Sequence, residues 1–260
     1  MSNNFDPNQN HYIYIEKNTT PLIFIHGVGL DHQMWSPQID NLTEFSTITY
    51  DLLGHGKTPC KKDKLSLNDF SNQLTEILEY LQINKIHLIG FSLGSLIALD
   101  FVSKMQNKVD KLILIGTTYK RTIEERCLVL DRYNQAKLNK PISKQALKRW
   151  FTDEYLEKNP KTYELFRDIL NKNSEDHKNF LKAYELFANH KDNTQVIQNI
   201  TSKTLVMTGS DDLGSTPAMS KELIKDIANS SYIEIKNGKH LCSIECADDV
   251  NIKIKNFINN

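Results

Sequence analysis

The sequence predicts an α/β protein: a mostly parallel, twisted sheet with helices on both faces and a helical insertion set into the chain. Three observations predict it. Short apolar runs rich in β-branched residues recur with amphipathic patterns between them, as expected of strands buried on both faces by crossover helices. The ten glycines sit at or near the ends of these runs, and none falls between Thr117 and Thr208. That glycine-free stretch carries aromatic residues at helical spacing and no convincing strand, so it reads as several helices inserted between two strands.

Taken in order, His11 to Glu16 reads as an edge strand and Leu22-Ile23-Phe24-Ile25 as the first buried one. Ser46 to Tyr50, Ile86 to Ile89, Leu112 to Ile115, Thr204 to Met207 and Tyr232 to Ile235 follow. Ser66-Leu67-Asn68-Asp69 has the form of a capping box. It opens a helix whose apolar face is Phe70, Leu74, Ile77, Leu78 and Leu81. Thr216-Pro217 reads as an N-cap with proline at the first helical position, and Asp248 to Ile258 as a closing amphipathic helix. Within the insertion, Trp150, Phe151 and Tyr155, then Tyr163 and Phe166, then Phe180, Tyr184 and Phe187 fall at helical spacing. The chain therefore divides into a core domain of residues 1–118 and 203–260 and a helical lid of residues 119–202. The lid is expected over the carboxyl ends of the strands, where open α/β sheets bind ligands.

Composition narrows the function. With 260 residues, 39% of them hydrophobic, the chain can bury a substantial single core. Its 32 basic and 32 acidic residues balance, which argues against nucleic acid or a polyanionic surface as partner. No apolar run has the length to span a bilayer, and the start Met1-Ser2-Asn3-Asn4-Phe5-Asp6 lacks the basic and apolar regions of a signal peptide. The cysteines Cys60, Cys127, Cys242 and Cys246 form no CxxC pair, so unpaired thiols in a reducing cytoplasm are expected. A small-molecule substrate, no membrane and a monomer or homodimer complete the expectation.

The chemistry begins at Gly90-Phe91-Ser92-Leu93-Gly94, a G-x-S-x-G pentapeptide between a strand and a helix. Alone it also fits an ordinary turn with a serine cap, but its strand–helix setting is the one a nucleophile elbow needs. There the serine takes strained backbone angles, and the flanking glycines remove Cβ atoms that would clash in so tight a turn. The hydroxyl then stands at a helix N-terminus, whose dipole favours negative charge.

With this pentapeptide the sequence resembles the capped, small-molecule α/β-hydrolases, similar to 3-oxoadipate enol-lactonases and related carboxylesterases, over essentially its whole length. His26-Gly27-Val28-Gly29-Leu30-Asp31 resembles the family's HGxGxD loop. By that match the backbone N–H groups of Val28 and Leu93 form an oxyanion hole, whose fixed donors stabilise a tetrahedral intermediate without reorganising. Asp51-Leu52-Leu53-Gly54-His55-Gly56-Lys57-Thr58 resembles the DxxGxGxS loop, with Thr58 in the serine place, and reads as structural.

The chain order serine, acid, histidine is the order this fold uses. In Gly209-Ser210-Asp211-Asp212 the family's spacing selects Asp212, with Asp211 as its competitor. The alternative site after the preceding strand, Gly116-Thr117-Thr118, holds no carboxylate. His240, in the loop after the last strand, is the expected base, with Asp212 holding its tautomer. All five arginines, Arg121, Arg126, Arg132, Arg149 and Arg167, lie in the insertion. Guanidinium forks suit carboxylates, and Arg149 beside Trp150 is the expected substrate contact, with His190 a further candidate from the lid. Ser95 stands where many relatives have a third glycine, a departure without an evident role at this level.

The resemblance implies a serine hydrolase that uses Ser92, His240 and Asp212, with no metal or organic cofactor. It is expected to cleave an ester or lactone of a small carboxylate-bearing metabolite through an acyl-enzyme. The same residues serve amide or enamide hydrolysis of the acetamidomethylene-succinate type and C–C bond cleavage. A non-catalytic small-molecule receptor on the same fold is the alternative of another class.

Overall fold

The computed structural model describes residues 4–138, 143–175 and 177–260. The core begins with β1 (Asn4–Phe5), β2 (His11–Ile15), β3 (Leu22–Ile25), α1 (Ser36–Asn41), β4 (Thr47–Tyr50) and α2 (Leu67–Tyr80). It continues through β5 (Ile86–Phe91), α3 (Leu93–Lys104) and β6 (Val109–Ile115). Helices α4 (Ile123–Lys137), α5 (Ser143–Trp150), α6 (Asp153–Lys158), α7 (Pro160–Glu175), α8 (His177–Asn189) and α9 (Thr194–Gln198) follow. The chain then returns to the core in β7 (Lys203–Gly209), α10 (Pro217–Asp226), β8 (Ser230–Ile235), α11 (Cys242–Glu245) and α12 (Ala247–Asn259).

The eight strands form one sheet in the order β1-β2-β4-β3-β5-β6-β7-β8. From β4 to β8 every pairing is parallel, while β1, β2 and β4 pair antiparallel. The six expected runs are all strands, most of them longer than the apolar run alone. One expectation changes: β2 is not the edge, because two further residues, Asn4 and Phe5, pair outside it. Such a pairing carries no apolar run and leaves no trace in the pattern.

Side chains of each buried strand alternate between two clusters, one on each face, as the period of two requires. Ile23, Ile25, Leu88, Leu112 and Val206 join the cluster capped by α2, α3 and α10, and Leu22, Phe24, Ile89, Ile113 and Met207 join the one that includes α12. The capping box at Ser66 and Asp69 forms, and so does the Thr216 cap, whose side chain accepts from the Met219 N–H with Pro217 at the first turn. Between β6 and β7 the described residues are helical and contain no strand. Among the described residues no helix is long and apolar enough to cross a membrane.

Candidate active site

The turn between β5 and α3 is built by close backbone approach. Ser92 has φ +53° and ψ −113°, a region that costs a non-glycine residue about 1–3 kcal/mol. The surroundings dictate it. A Cβ on Gly94 would lie 2.2 Å from the Ile25 carbonyl oxygen, and one on Gly90 would lie 2.4 Å from that of Gly94. The start of α3 is thus pressed onto the end of β3, and the Ser92 N–H donates to the Ile115 carbonyl at 3.0 Å. Ser95 finds its role here. Its buried hydroxyl donates to the Gly90 carbonyl at 2.7 Å and lies 3.2 Å from that of Ile115, tying the first turn of α3 to the two strands beside it.

The loop after β3 runs alongside. Two buried histidines staple it to the loop after β4. His26 Nδ1 donates to the Gly27 carbonyl at 2.8 Å, and its Nε2 accepts the Leu52 N–H at 2.9 Å. His55 Nε2 accepts the Gly29 N–H at 3.1 Å. Both rings must be neutral to do this. Burial, and for His26 also the neighbouring His55, pushes His26 down to about 3, and burial pushes His55 down to about 4. Among the described residues the N–H groups of Val28 and Leu93 donate to no protein acceptor. Val28 and Ser92 line one cavity, and Leu93 opens the helix that starts behind Ser92.

Asp51 organises the outer side of these loops. Its buried carboxylate accepts from His11 Nδ1 (2.8 Å), His32 Nδ1 (2.7 Å), and the N–H groups of His32 and Lys57 (both 2.9 Å). Burial alone would raise it, but the two histidine hydrogen bonds hold it well below the usual carboxylate range. Thr58 accepts the His11 N–H through Oγ1 at 3.0 Å, so the threonine performs the anchoring expected of the loop.

The acid and the histidine meet at the ends of β7 and β8. His240 Nδ1 lies 2.6 Å from Asp212 Oδ2. The carboxylate can only accept, so Nδ1 carries the hydrogen and Nε2 keeps its lone pair. Asp212 Oδ1 accepts the N–H groups of Gly214 (2.8 Å) and Ser215 (3.0 Å), which fixes the carboxylate plane. Asp211 instead accepts from the Ser210 hydroxyl and does not reach the ring. The imidazole leans on the Phe91 ring at a centroid distance of 4.8 Å, beside Gly116.

A cavity of about 260 Å³ contains Ser92, Asp212 and His240, with Val28 and Phe91 from the core. Helices α4, α5 and α8 supply Leu128, Arg132, Arg149, Trp150, Tyr184 and Phe187 to the same lining. Helix α5 is fastened to the histidine loop, since the Leu241 N–H donates to the Trp150 carbonyl at 3.0 Å and Lys239 Nζ to that of Lys148 at 2.9 Å. Of the candidate substrate contacts, Arg149 and Trp150 are in this lining. His190 is not. It follows the end of α8, its Nε2 lies 3.5 Å from Asp192, and it lines a separate cleft. Tyr184 and Phe187, three residues apart on one helix face, take the inward positions instead.

Arg132 is a wall residue that the sequence did not single out. Leu128 and Arg132 stand four apart on α4 and share the cavity, a helical spacing that was there to be read. The other arginines are engaged elsewhere: Arg121 on the Phe187 carbonyl, Arg126 on that of His190, and Arg167 on Asp168. Among the described residues neither Arg132 nor Arg149 pairs with a carboxylate. Loss of solvent within the walls, and then the like charge of Arg132, lower Arg149 from its ordinary value.

A family model described as the alpha/beta hydrolase fold matches residues 20–246. The chain is 28% identical over 237 residues to the (E)-2-((N-methylformamido)methylene)succinate hydrolase of Acinetobacter baylyi, covering 89% of this chain and 87% of that protein. It is 23% identical over 231 residues to 3-oxoadipate enol-lactonase 1 of the same organism, covering 88% and 85%. It superposes on the enol-lactonase from Burkholderia xenovorans LB400 with a TM-score of 0.87 at 24% identity, over 96% of this chain and 97% of that one.

Proposed function

The chain belongs to the alpha/beta hydrolase fold family, and from that premise we propose that it is a serine hydrolase of a small ester or lactone bearing a carboxylate. The observation that carries this reading is the shared cavity, which Ser92 and the His240–Asp212 pair line together with two arginines without a carboxylate partner. Two unneutralised guanidinium groups in one lining favour an anionic ligand. The relative 28% identical to this chain is named for a substituted succinate, which supports the same substrate class.

In the proposed reaction His240 Nε2 takes the Ser92 proton as Oγ attacks the carbonyl carbon. Negative charge gathers on the carbonyl oxygen, where the Val28 and Leu93 N–H groups and the start of α3 receive it. Collapse breaks the bond to the leaving oxygen, which receives from His240 the proton that Ser92 gave up. In a lactone that oxygen stays tethered to the acyl group. Water, deprotonated by His240, then attacks the acyl-enzyme, and collapse returns the proton to Ser92 as the carboxylic product leaves. Asp212 stays ionised and holds the imidazolium. The insertion acts as the lid that limits water and selects the acyl group. All four cysteines are unpaired, in keeping with a reducing cytoplasm.

The test compares p-nitrophenyl hemisuccinate with p-nitrophenyl acetate. Ser92→Ala should abolish turnover of both and block labelling by a fluorophosphonate. The pair Arg132→Gln and Arg149→Gln should raise KM for the hemisuccinate by about 10- to 100-fold and leave the acetate nearly unchanged. Undiminished turnover in Ser92→Ala overturns the mechanism, and equal losses on both esters overturn the carboxylate role. The N-methylformamido group in the relative's name also favours a second reading, hydrolysis of an amide or enamide, which the same assay with the matching amide distinguishes.

A further inference from the structure

On the far side of α8 lies a second cleft, of about 760 Å³. The start of α2 and the middle of α3 bound it on the core side, and α8, the segment after it and α9 bound it on the insertion side. Helix α8 separates the two spaces: Tyr184 and Phe187 line the active cavity, while Lys182, Glu185 and Leu186 line this one. Its volume is in the range of small-molecule sites.

Its lining differs in kind from that of the active cavity. The floor is aliphatic, with Leu65, Leu96, Leu99 and Ile197 all buried and Leu186 beside them. Apart from the His190 imidazole it contains no ring, whereas Phe91, Trp150, Tyr184 and Phe187 wall the active cavity. Such a floor offers dispersion contacts along a chain and no face on which a planar ligand could stack.

Three lysines and three carboxylates, Asp100, Glu185 and Asp192, line the cleft, and two of the carboxylates are engaged by groups of the protein outside it. Lys64, Lys182 and Lys191 stand around the floor. Of the acids, Asp100 is held by the Ser71 hydroxyl and Lys104 Nζ, both at 2.6 Å. Asp192 accepts the Lys120 N–H at 2.9 Å and faces His190 at 3.5 Å. Glu185 forms no ion pair among the described residues. Among the described residues the one lining hydroxyl, that of Ser66 at the N-cap of α2, donates to the Asp69 carboxylate at 2.7 Å as part of the capping box.

We propose that this cleft is a non-catalytic binding site for a straight-chain aliphatic carboxylate, its chain along the leucine floor and its carboxylate among Lys64, Lys182 and Lys191. Lysine ammonium groups act as solvated point charges, which suits a head group held at an open mouth. The site stands on its own lining and does not depend on the hydrolase reading.

Calorimetric titration of the intact protein with sodium decanoate, kept below its micelle concentration, tests the proposal. A binding event that survives Arg132→Gln combined with Arg149→Gln, the change that removes the cationic groups of the active cavity, is expected. Lys64→Glu combined with Lys191→Glu, at two exposed positions, should weaken it by about tenfold without moving the melting temperature. Arg132→Gln combined with Arg149→Gln should leave the affinity unchanged. Absence of binding, or equal affinity in the lysine double variant, overturns the site. A loss confined to the arginine double variant also overturns it, since decanoate would then be in the active cavity. Esterase turnover, followed separately, reports on the hydrolase reading alone.

Discussion

Gly209→Ala is the sharpest probe of how the acid and the histidine are held together. Gly209 ends β7, and a Cβ there would lie 2.2 Å from the Gly238 carbonyl oxygen and 2.3 Å from that of Lys239. Both obstacles are backbone, so no side-chain rotation relieves them. The loop must move back by about 1 Å to reach ordinary contact distance. That loop carries His240, and its neighbour Asp212 is anchored separately by Gly214 and Ser215. The displacement therefore opens the 2.6 Å contact between Asp212 and His240. Misplacement of a catalytic group by about 1 Å costs about 100-fold in rate. Gly214→Ala is the control. Its Cβ would meet only Asp212 Oδ1, at 3.6 Å, an ordinary contact. The assay is kcat/KM on p-nitrophenyl acetate beside a thermal melt. Gly209→Ala should lose about 100-fold together with some stability, and Gly214→Ala should keep activity within a few-fold. Equal activity in wild type and Gly209→Ala would refute the reasoning.

The remaining predictions follow from the same contacts. Asp212→Asn should lower kcat by about 10,000-fold, through loss of the tautomer that leaves Nε2 free, while Asp211→Asn, with no contact to the ring, should change it little; comparable losses would remove the distinction between them. Ser95→Ala deletes two buried hydrogen-bond contacts and should cost about 1–2 kcal/mol, read as a fall in urea midpoint at unchanged slope; an unchanged midpoint would leave Ser95 without its assigned role. Stability should also fall with acid. The unfolded chain protonates His26 and His55 near the ordinary value of about 6.5, while the folded protein resists until about 3 and about 4. Above that ordinary value neither state binds the protons and nothing is lost. Between pH 6.5 and 5 the two groups together remove about 3 kcal/mol. His32, raised by its hydrogen bond to Asp51 against the effect of burial, gives back part of this. A melting temperature flat from pH 7 to 5 would contradict the neutral staples.

Much of the fold is legible in the sequence because strand burial is a local pattern. Runs such as Leu22 to Ile25 and Thr204 to Met207 are apolar on both faces, and that requires helices above and below. The Ser66 and Thr216 caps are equally local, since donor and acceptor lie within three residues. The pairing of β1 with β2 has no such signature, because two residues of Asn and Phe make no period. The candidate site is legible where a backbone turn needs particular residues. Gly90 and Gly94 are required by distances of 2.4 and 2.2 Å that no Cβ tolerates.

By itself, then, the sequence determined which elements form and which loops carry Ser92, Asp212 and His240, since those features rest on neighbours along the chain. Three things were decided only by the tertiary structure. The contact of the ring with Asp212, the acid that the family resemblance already selected over Asp211, is made only there. Arg132 joins Arg149 in the cavity wall while His190 turns to another cleft. Ser95 ties α3 to the Gly90 and Ile115 carbonyls. Each depends on contacts across the sheet or between insertion and core, where the partner's distance along the chain carries no information and only packing fixes who meets whom.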